Sequence, residues 1–589
     1  MLGITIGSLN TSISYYEKGQ FKILLSDTSN RSFPSVVSIQ TRLERSYGEQ
    51  AIFNIKSNLD TSIFGILRFL SSDIHQLNKE LSFQYICKQN LDFEQKSFYT
   101  YLLNFNNLIS KCFNISEEVE YKTGNNFKSI YKHDNLCLYN LIVSYFSKIF
   151  QHIKRYNKLN LEIYASTSII SSNVQNIFAI TIPDYLNNNE KNILIKLLNI
   201  SDINSLKKEN NNKIILVNES SAITMYYAYE KSKKIRELTN SNDNKKLFVA
   251  FIDIGHSKTA ITYSLFEDKH FEVYYVLSNK NLGIRNIDNE ISNYLLMEFD
   301  KENNLKDNKS LFNLKQYYKN YSNDNNNINN ESSNNNNNYI KYNLEENYLI
   351  NKLLYKLNES VVKARRILTS NEETNISIDS FYKDIDLNIK LTRNLFNSIS
   401  NNILVKLENC LVESLVSFID KLKNDSNILN LKAFEFVKNC NKNDLFNNKE
   451  RIIDSVEMAG DGARIPIIQN IIEEKVFKCL KLSKTILTDE CISKGTCLYA
   501  TRYSKALSCE DYTFKNYFNN NIVLSRDIIR EGDTKSSGLY SANLTLIKKG
   551  TSFPVKNSYI FSNLSEVTNL KFYSDNNLLI SNINYIYIN

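Results

Sequence analysis

The sequence predicts a mixed α/β protein built as two related halves, and three observations carry that expectation. Two segments share one pattern: GITIGSLNTS from Gly3 and AFIDIGHSKTAITYS from Ala250 each pass from an apolar β-rich run through a small-residue turn into a second alternating strand. Strands and helix-period segments alternate through most of the chain. After Cys509 the helix-period pattern gives way to short alternating strands alone. A strand–turn–strand unit presents successive backbone N–H groups on a concave surface, which suits a phosphate chain. One copy is usually only a hairpin. Two copies, one at the start of each half, predict phosphates held between the halves.

The elements follow from local pattern. Strands are expected at Ile4–Ile6, Ile13–Tyr16, Phe21–Leu25 and Val36–Ile39, the last after a turn at Asn30–Pro34. LCLYNLIVSYFSKIFQHIK at 136–154 carries apolar residues at helical spacing. Ile177–Ile182 reads as a buried strand stopped by Pro183, followed by a helix near Glu190–Leu198 and a strand at Ile214–Val217. Asn218-Glu219-Ser220-Ser221 offers N-cap chemistry for the next helix. Strand, hairpin and helix recur over 247–299, and a helix is expected over 341–370. The low-complexity stretch YSNDNNNINNESSNNNNN, 321–338, is expected to be a disordered surface insertion. Beyond Cys509, strands are expected at Asn520–Ser525, Ala542–Lys548, Ser558–Ser562, Asn569–Ser574 and Asn584–Ile588, as a small β-sandwich fragment with an unpaired edge.

Composition narrows the class. With 589 residues, 42% hydrophobic, the chain can bury sizeable cores. A net charge of +8 spread among interspersed acids and bases gives no basic stripe, so a nucleic-acid partner is not expected. No stretch approaches an uncharged apolar run of about 20 residues, so no membrane span is expected. No secretory signal is visible, and nine scattered cysteines without a CxxC pair suit a reduced, cytoplasmic setting. The five histidines never stand at metal-ligand spacing, so a zinc site is not expected. Only 14 glycines occur, so those kept at turns are informative.

Taken in order, several segments resemble the heat shock protein 70 superfamily. GITIGSLNTS and FIDIGHSKTAITYS are similar to its two phosphate loops, AITIPDYLNNNEKN (179–192) and VNESSAITMYYAY (217–229) to its strand–Pro–helix and connecting helix, and NLGIRNIDNEISNYLL (281–296) to the element after the second loop. VKARRILTSNEETNISIDSFYKDIDLNIKLTR (362–393), AGDGARIPIIQNII (459–472) and ILTDECISKGTCLYA (486–500) are similar to its adenosine-side helix, Gly-rich loop and closing helix. LIKKGTSFPVKNSYIFS (546–562) resembles its substrate-binding β-domain. The IGHSK turn, with His256 and Ser257 where ordinary members carry further glycines, resembles the large 110-kilodalton branch, whose members act mainly as nucleotide-exchange partners.

The resemblance implies an actin-like two-lobed ATPase fold over 1–504, with lobe I at about 1–217, lobe II at about 218–460 and a return to lobe I at about 461–504. It further implies a linker at 505–510 and a partial, truncated β-sandwich domain at 511–589, without the acidic Leu-rich linker and helical lid of complete members. ATP or ADP with Mg²⁺ would lie between the lobes. Glu219 and Asp253 match two of the three carboxylates that orient the metal's waters, Asp253 through water, but Thr5 stands at the third. Leu67 stands where the family has a lysine near the γ-phosphate, with Arg68 beside it, and Ala260 replaces a further acid. The expected nucleotide contacts are Gly7, Ser8, Gly255, His256, Ser257 and Gly283 at the phosphates. On the adenosine side they are Arg365, Arg366, Thr369, Gly460, Gly462, Arg464 and Asp489. Asp461 and Val362 depart from the pattern there.

Phosphoryl transfer rests on positioned charge, and one positioned donor is worth about 100- to 1000-fold. The missing charges therefore predict weak nucleotide binding with little or no hydrolysis. The expected role is a nucleotide-exchange or regulatory co-chaperone, with a conventional heat-shock-70 chaperone and unfolded polypeptides as partners. The alternatives are an ATP-hydrolysing chaperone with unusual site residues and a nucleotide-independent holdase. Bland readings remain beside the sharp ones: Asp253 as a turn cap, Arg365 and Arg366 as an exposed helix face, His256 as a hydrogen-bonding turn residue, and Cys491 and Cys497 as packed thiols.

Overall fold

The computed structural model describes residues 1–17, 20–39, 44–55, 59, 62–70, 87–89, 101–104, 135–164, 177–201, 213–240, 246–267, 270–305, 310–314, 336–425, 428, 452–477, 482–483 and 485–501, with strands at 513–517, 522–528, 541–547, 552–553, 568–574 and 579–585. The linker at 505–510, the Asn-rich residues 321–335 and the strand expected at Ser558–Ser562 lie outside the described residues.

The duplication expected from the twin turns is visible as strand order. In the first sheet, β1 (Leu2–Ile6), β2 (Asn10–Glu17) and β3 (Gln20–Ile23) form an antiparallel meander, and β4 (Ile177–Ile182) and β5 (Lys213–Asn218) add in parallel beside β1, giving β5-β4-β1-β2-β3. In the second, β6 (Leu247–Ile254), β7 (Thr259–Glu267) and β8 (His270–Asn279) form the meander, and β9 (Ser455–Ala459) and β10 (Leu482–Ser483) add in parallel beside β6. The order β10-β9-β6-β7-β8 repeats that of the first sheet. The fold is mixed α/β and agrees with the actin-like ATPase architecture.

Each sheet has its own core. The apolar faces of β1, β2 and β4 (Ile4, Ile13, Ile180) pack on Phe146 and Phe150 of α1 (Leu138–Tyr164) and Leu194 and Leu198 of α2 (Asn188–Ile200). α2 starts at a capping box, in which Asn187 accepts from the Glu190 N–H and Glu190 accepts from the Asn187 N–H. Between the sheets in sequence runs α3 (Glu219–Glu230). The second sheet packs on α4 (Ile284–Glu302), α5 (Asn336–Ile367) and α6 (Arg393–Lys423), where Ile252, Ile261, Leu295, Leu357 and Phe418 share one cluster. Residues 336–338, expected within the Asn-rich insertion, open α5.

α3 and α7 (Cys491–Thr501) join the two halves. Nearly every residue of α3 is buried, and its Met225, Tyr226 and Tyr227 share a cluster with Val249 and Phe251 of β6 and with Cys491 and Leu498 of α7. α7 in turn lies on the first sheet, where Ser14 of β2 donates to the Ser493 carbonyl at 2.5 Å. The helices approach closely at Gly495, where an added Cβ would run into the Ala222 carbonyl oxygen. Cys491 and Cys497 are fully buried here, and burial raises the Cys491 thiol well above the ordinary range, so both are packing groups as the bland reading expected.

The tail differs in part from expectation. Strands at 522–528, 541–547, 568–574 and 579–585 form one four-stranded antiparallel sheet, and no second sheet packed on it appears among the described residues. Thr513–Tyr517 pairs in parallel with β8, and Ser552–Phe553 pairs with Thr513–Tyr517, so these two strands extend the second large sheet. Among the described residues no helix is long and apolar enough to cross a membrane.

Because backbone rather than a flexible side chain faces Gly495, Gly495→Ala forces α3 and α7 apart and is expected to destabilise the chain by about 1–3 kcal/mol. Urea denaturation measures this, and an unchanged midpoint contradicts the close crossing.

Candidate nucleotide site

The twin turns face each other across the junction. Ser8, in the turn between β1 and β2, and Ser257, in the turn between β6 and β7, hydrogen-bond hydroxyl to hydroxyl at 2.5 Å. Each turn is closed by its own backbone: Gly7 N–H donates to the Asn10 carbonyl at 2.8 Å and Gly255 N–H to the Lys258 carbonyl at 2.9 Å. The second turn is also tied to the start of α4. Ile284 and Arg285 donate their N–H groups to the carbonyls of Gly255 and His256, and an added Cβ on Gly283 would run into the His256 carbonyl.

Charge at this junction is arranged around a residue that sequence reasoning missed. Glu219 is the first residue of α3, and Asp253 sits near the end of β6. Lys258, at the end of the second turn, donates a short hydrogen bond to Glu219 Oε2 and lies 3.4 Å from Asp253 Oδ2. All three side chains are largely enclosed, with exposures of 7% for Glu219 and 14% for Asp253 and Lys258. Burial alone would lower Lys258, but Glu219, Asp253 and Asp184 outweigh it and hold the ammonium charged well above the usual lysine range. Burial pushes Glu219 up to about 7 against the pull of Lys258, with Asp253 and Asp184 adding to the rise.

Asp184 was also missed. Asn218 makes no side-chain cap on α3. Asp184 does that work instead, accepting from the Ser220 N–H at 3.1 Å and the Ser220 hydroxyl at 2.6 Å. Its carboxylate near the positive end of α3 is also well placed for the helix dipole.

The positions that depart from the family pattern have settled into packing roles. Thr5 hydrogen-bonds Thr181 at 2.7 Å, and Thr181 hydrogen-bonds Thr496 of α7 at 2.7 Å, a hydroxyl chain leading into the first half. Leu67 is buried in the first core. Arg68 is buried beside it and donates to the Lys280 carbonyl at 3.4 Å, reaching the second half. Ala260 is buried opposite Asp253 in the β6–β7 pairing. His256 is held neutral: burial, then the positive fields of Arg285, Arg365 and Arg68, push it down to about 3.

The adenosine-side residues divide. Arg365 is buried and its Nε donates to Asp288 at 2.8 Å, so its guanidinium is turned inward. Arg366 is open to solvent, 3.7 Å from Asp461, and Thr369 is half-buried and donates to the Arg366 carbonyl. Arg464 binds Asp489 at 2.7 Å and Thr488 at 3.1 Å, with Arg464 and Asp489 exposed and Thr488 half-buried. Gly460 has φ of +78°, and an added Cβ there would meet the Ile254 carbonyl and Asp253 Oδ1. Gly462 lies against the Ile254 side chain. The Gly-rich loop thus packs on the end of β6.

Whether these residues suit the Mg²⁺ that the resemblance implies is decided by their donors. A hard divalent cation needs several oxygen ligands or ordered waters facing carboxylates. Here Glu219 and Asp253 both face the Lys258 ammonium, and Thr5 bonds into the first half. Among the described residues no group of three or more His, Cys, Asp or Glu could hold a metal ion. The residues do not fit a divalent cation at this place.

A family model described as Hsp70 protein matches residues 1–96 and 161–347. Heat shock protein 88 of Dictyostelium discoideum is 21% identical over 504 residues, covering 86% of this chain and 49% of that protein. Heat shock 70 kDa protein 16 of Arabidopsis thaliana is 22% identical over 406 residues, covering 69% of this chain and 40% of that protein. A heat shock protein homolog of Saccharomyces cerevisiae is 20% identical over 552 residues, covering 94% of this chain and 61% of that protein. The chain therefore spans about half the length of the curated relatives it matches. With the repeated sheet order and the facing turns already in place, the chain is similar to the heat shock protein 70 superfamily and, within it, resembles the 110-kilodalton branch.

Proposed function

We propose that this chain is a heat-shock-70-like co-chaperone that binds adenine nucleotide weakly, hydrolyses it little or not at all, and serves as a nucleotide-exchange or regulatory partner of a conventional heat-shock-70 chaperone in the cytoplasm. The observation that carries this reading is the charge of the cleft. Its two family-matching carboxylates are engaged by Lys258, and Thr5, Leu67 and Ala260 supply no charge. Without that charge the transferring phosphoryl group lacks the electrostatic stabilisation on which the reaction rests. Binding draws on other groups. Ser8 and Ser257 offer hydroxyls to phosphate, Arg366 offers the open guanidinium plane for an adenine ring in place of the inward-turned Arg365, and Thr369 lies one turn further on. Arg464 and Asp489 stand on the ribose side. The division into lobes at about 217 and 460, with the return to about 504 and a partial substrate-binding β-domain over 511–589, belongs to the same proposal, although Thr513–Tyr517 and Ser552–Phe553 join the second large sheet.

The reading is tested by pairing equilibrium binding of labelled ADP and ATP with a turnover assay. Weak, saturable binding without turnover is expected. Turnover lost in Asp253→Ala contradicts it and supports the ATP-hydrolysing alternative. The exchange role predicts faster release of labelled ADP from a conventional chaperone when this protein is added, and unchanged release contradicts it. His256 sits near the Ser257 turn and stays neutral, so any step in nucleotide affinity between about pH 5.5 and pH 8 is expected to come from Glu219, pushed up to about 7, and to persist in His256→Gln. A step near the ordinary histidine value of about 6.5 that disappears in His256→Gln contradicts a neutral His256.

A further inference from the structure

We infer that Lys258 is a resident cation that takes the place of the divalent metal, so that the phosphate site accepts the nucleotide in its metal-free form. The inference deepens the nucleotide reading above and rests on it for the ligand's identity. Its structural half stands apart.

The β6–β7 hairpin pairs Ile254 with Thr259 and Asp253 with Ala260, which leaves Lys258 at the exit of the turn. From there its ammonium bridges Glu219, at the start of α3, and Asp253, on the strand that leads into the turn. One carboxylate belongs to the helix at the junction and the other to the second sheet. Two buried carboxylates this close repel each other unless a cation lies between them. A metal would be held by solution equilibrium and could leave. A lysine is covalently attached and cannot. For a divalent cation to use these oxygens, the ammonium must first be displaced from two ion pairs, leaving a buried charge without a partner. The ammonium also carries one positive charge where the metal carries two, which suits weak binding of the polyphosphate.

Lysine offers three donors on a compact head, so two carboxylates leave one N–H direction for a third acceptor. A nucleotide phosphate oxygen near the Ser8 and Ser257 hydroxyls would be that acceptor. The ligand class is a free nucleoside di- or triphosphate, with the serine pair and the ammonium as its polar contacts.

Two measurements on the full chain test the inference. In the first, labelled ADP is titrated with millimolar Mg²⁺ and again with excess EDTA. The wild-type protein is expected to bind equally in both, within about twofold, whereas Lys258→Thr gains a dependence on Mg²⁺ of about tenfold or more. Wild-type affinity that rises about tenfold with Mg²⁺ overturns the inference. In the second, thermal unfolding is followed without nucleotide. Lys258→Met is expected to melt several degrees below the wild type and to recover in part when Mg²⁺ is added, while the wild type does not respond to Mg²⁺. A wild type stabilised by Mg²⁺, or a Met variant as stable as the wild type, overturns it. Should Lys258→Met fail to fold, Lys258→Met with Glu219→Gln removes the surplus charge and is expected to fold again; a double variant no more stable than the single contradicts the charge argument. Absence of ADP binding in every condition overturns the nucleotide reading alone, and the thermal measurement then decides the role of Lys258 by itself.

Discussion

The contact on which the arrangement depends is the crossing of α3 and α7 at Gly495. Each helix packs on a different sheet, and the absence of a side chain at Gly495 lets their backbones meet at the Ala222 carbonyl. That approach fixes the two sheets so that their first turns come within hydrogen-bond distance, Ser8 to Ser257. It also places the N-terminus of α3, and with it Glu219, beside the second turn. The meeting of the two turns is therefore a consequence of helix packing one turn beyond Glu219, and their spacing is set by backbone against backbone, the least yielding kind of contact.

Within that frame the electrostatics have been rearranged, and the architecture has not. The family's loops, sheets and linking helices are present, while the positions that would carry charge to a reacting phosphate now serve stability. Thr5 extends a hydroxyl chain through Thr181 to Thr496, Leu67 fills the first core, and Ala260 packs under the second hairpin. Lys258 resolves the remaining problem, two carboxylates buried within reach of one another. Replacing a mobile metal by a tethered ammonium keeps one positive charge between the two carboxylates, and it removes the double charge that phosphoryl transfer exploits.

What was legible in the sequence was what local pattern controls. The twin strand–turn–strand segments announced the repeated sheet order, the helix expected near Glu190–Leu198 is α2, and Pro183 marked the end of β4. What was not legible depended on partners far apart in the chain. A lysine in a turn is solvated by default, and nothing local links Lys258 to a glutamate 39 residues earlier. Arg365 looked like half of an exposed pair until Asp288, 77 residues away, drew it inward. The Asn218 region carried the right residues for a cap, yet the cap on α3 comes from Asp184, 36 residues from its partner Ser220. The tail misled in a different way: alternation identified its strands, but alternation does not say which sheet a strand joins, and Thr513–Tyr517 joined the large one.

The most direct test is crystallographic. Crystals of the full chain soaked in Mn²⁺ and measured at the manganese absorption edge should give no anomalous peak between Glu219 and Asp253, with density for the Lys258 ammonium bridging the two carboxylates. A manganese peak at that place, with Lys258 swung out to solvent, would contradict the account.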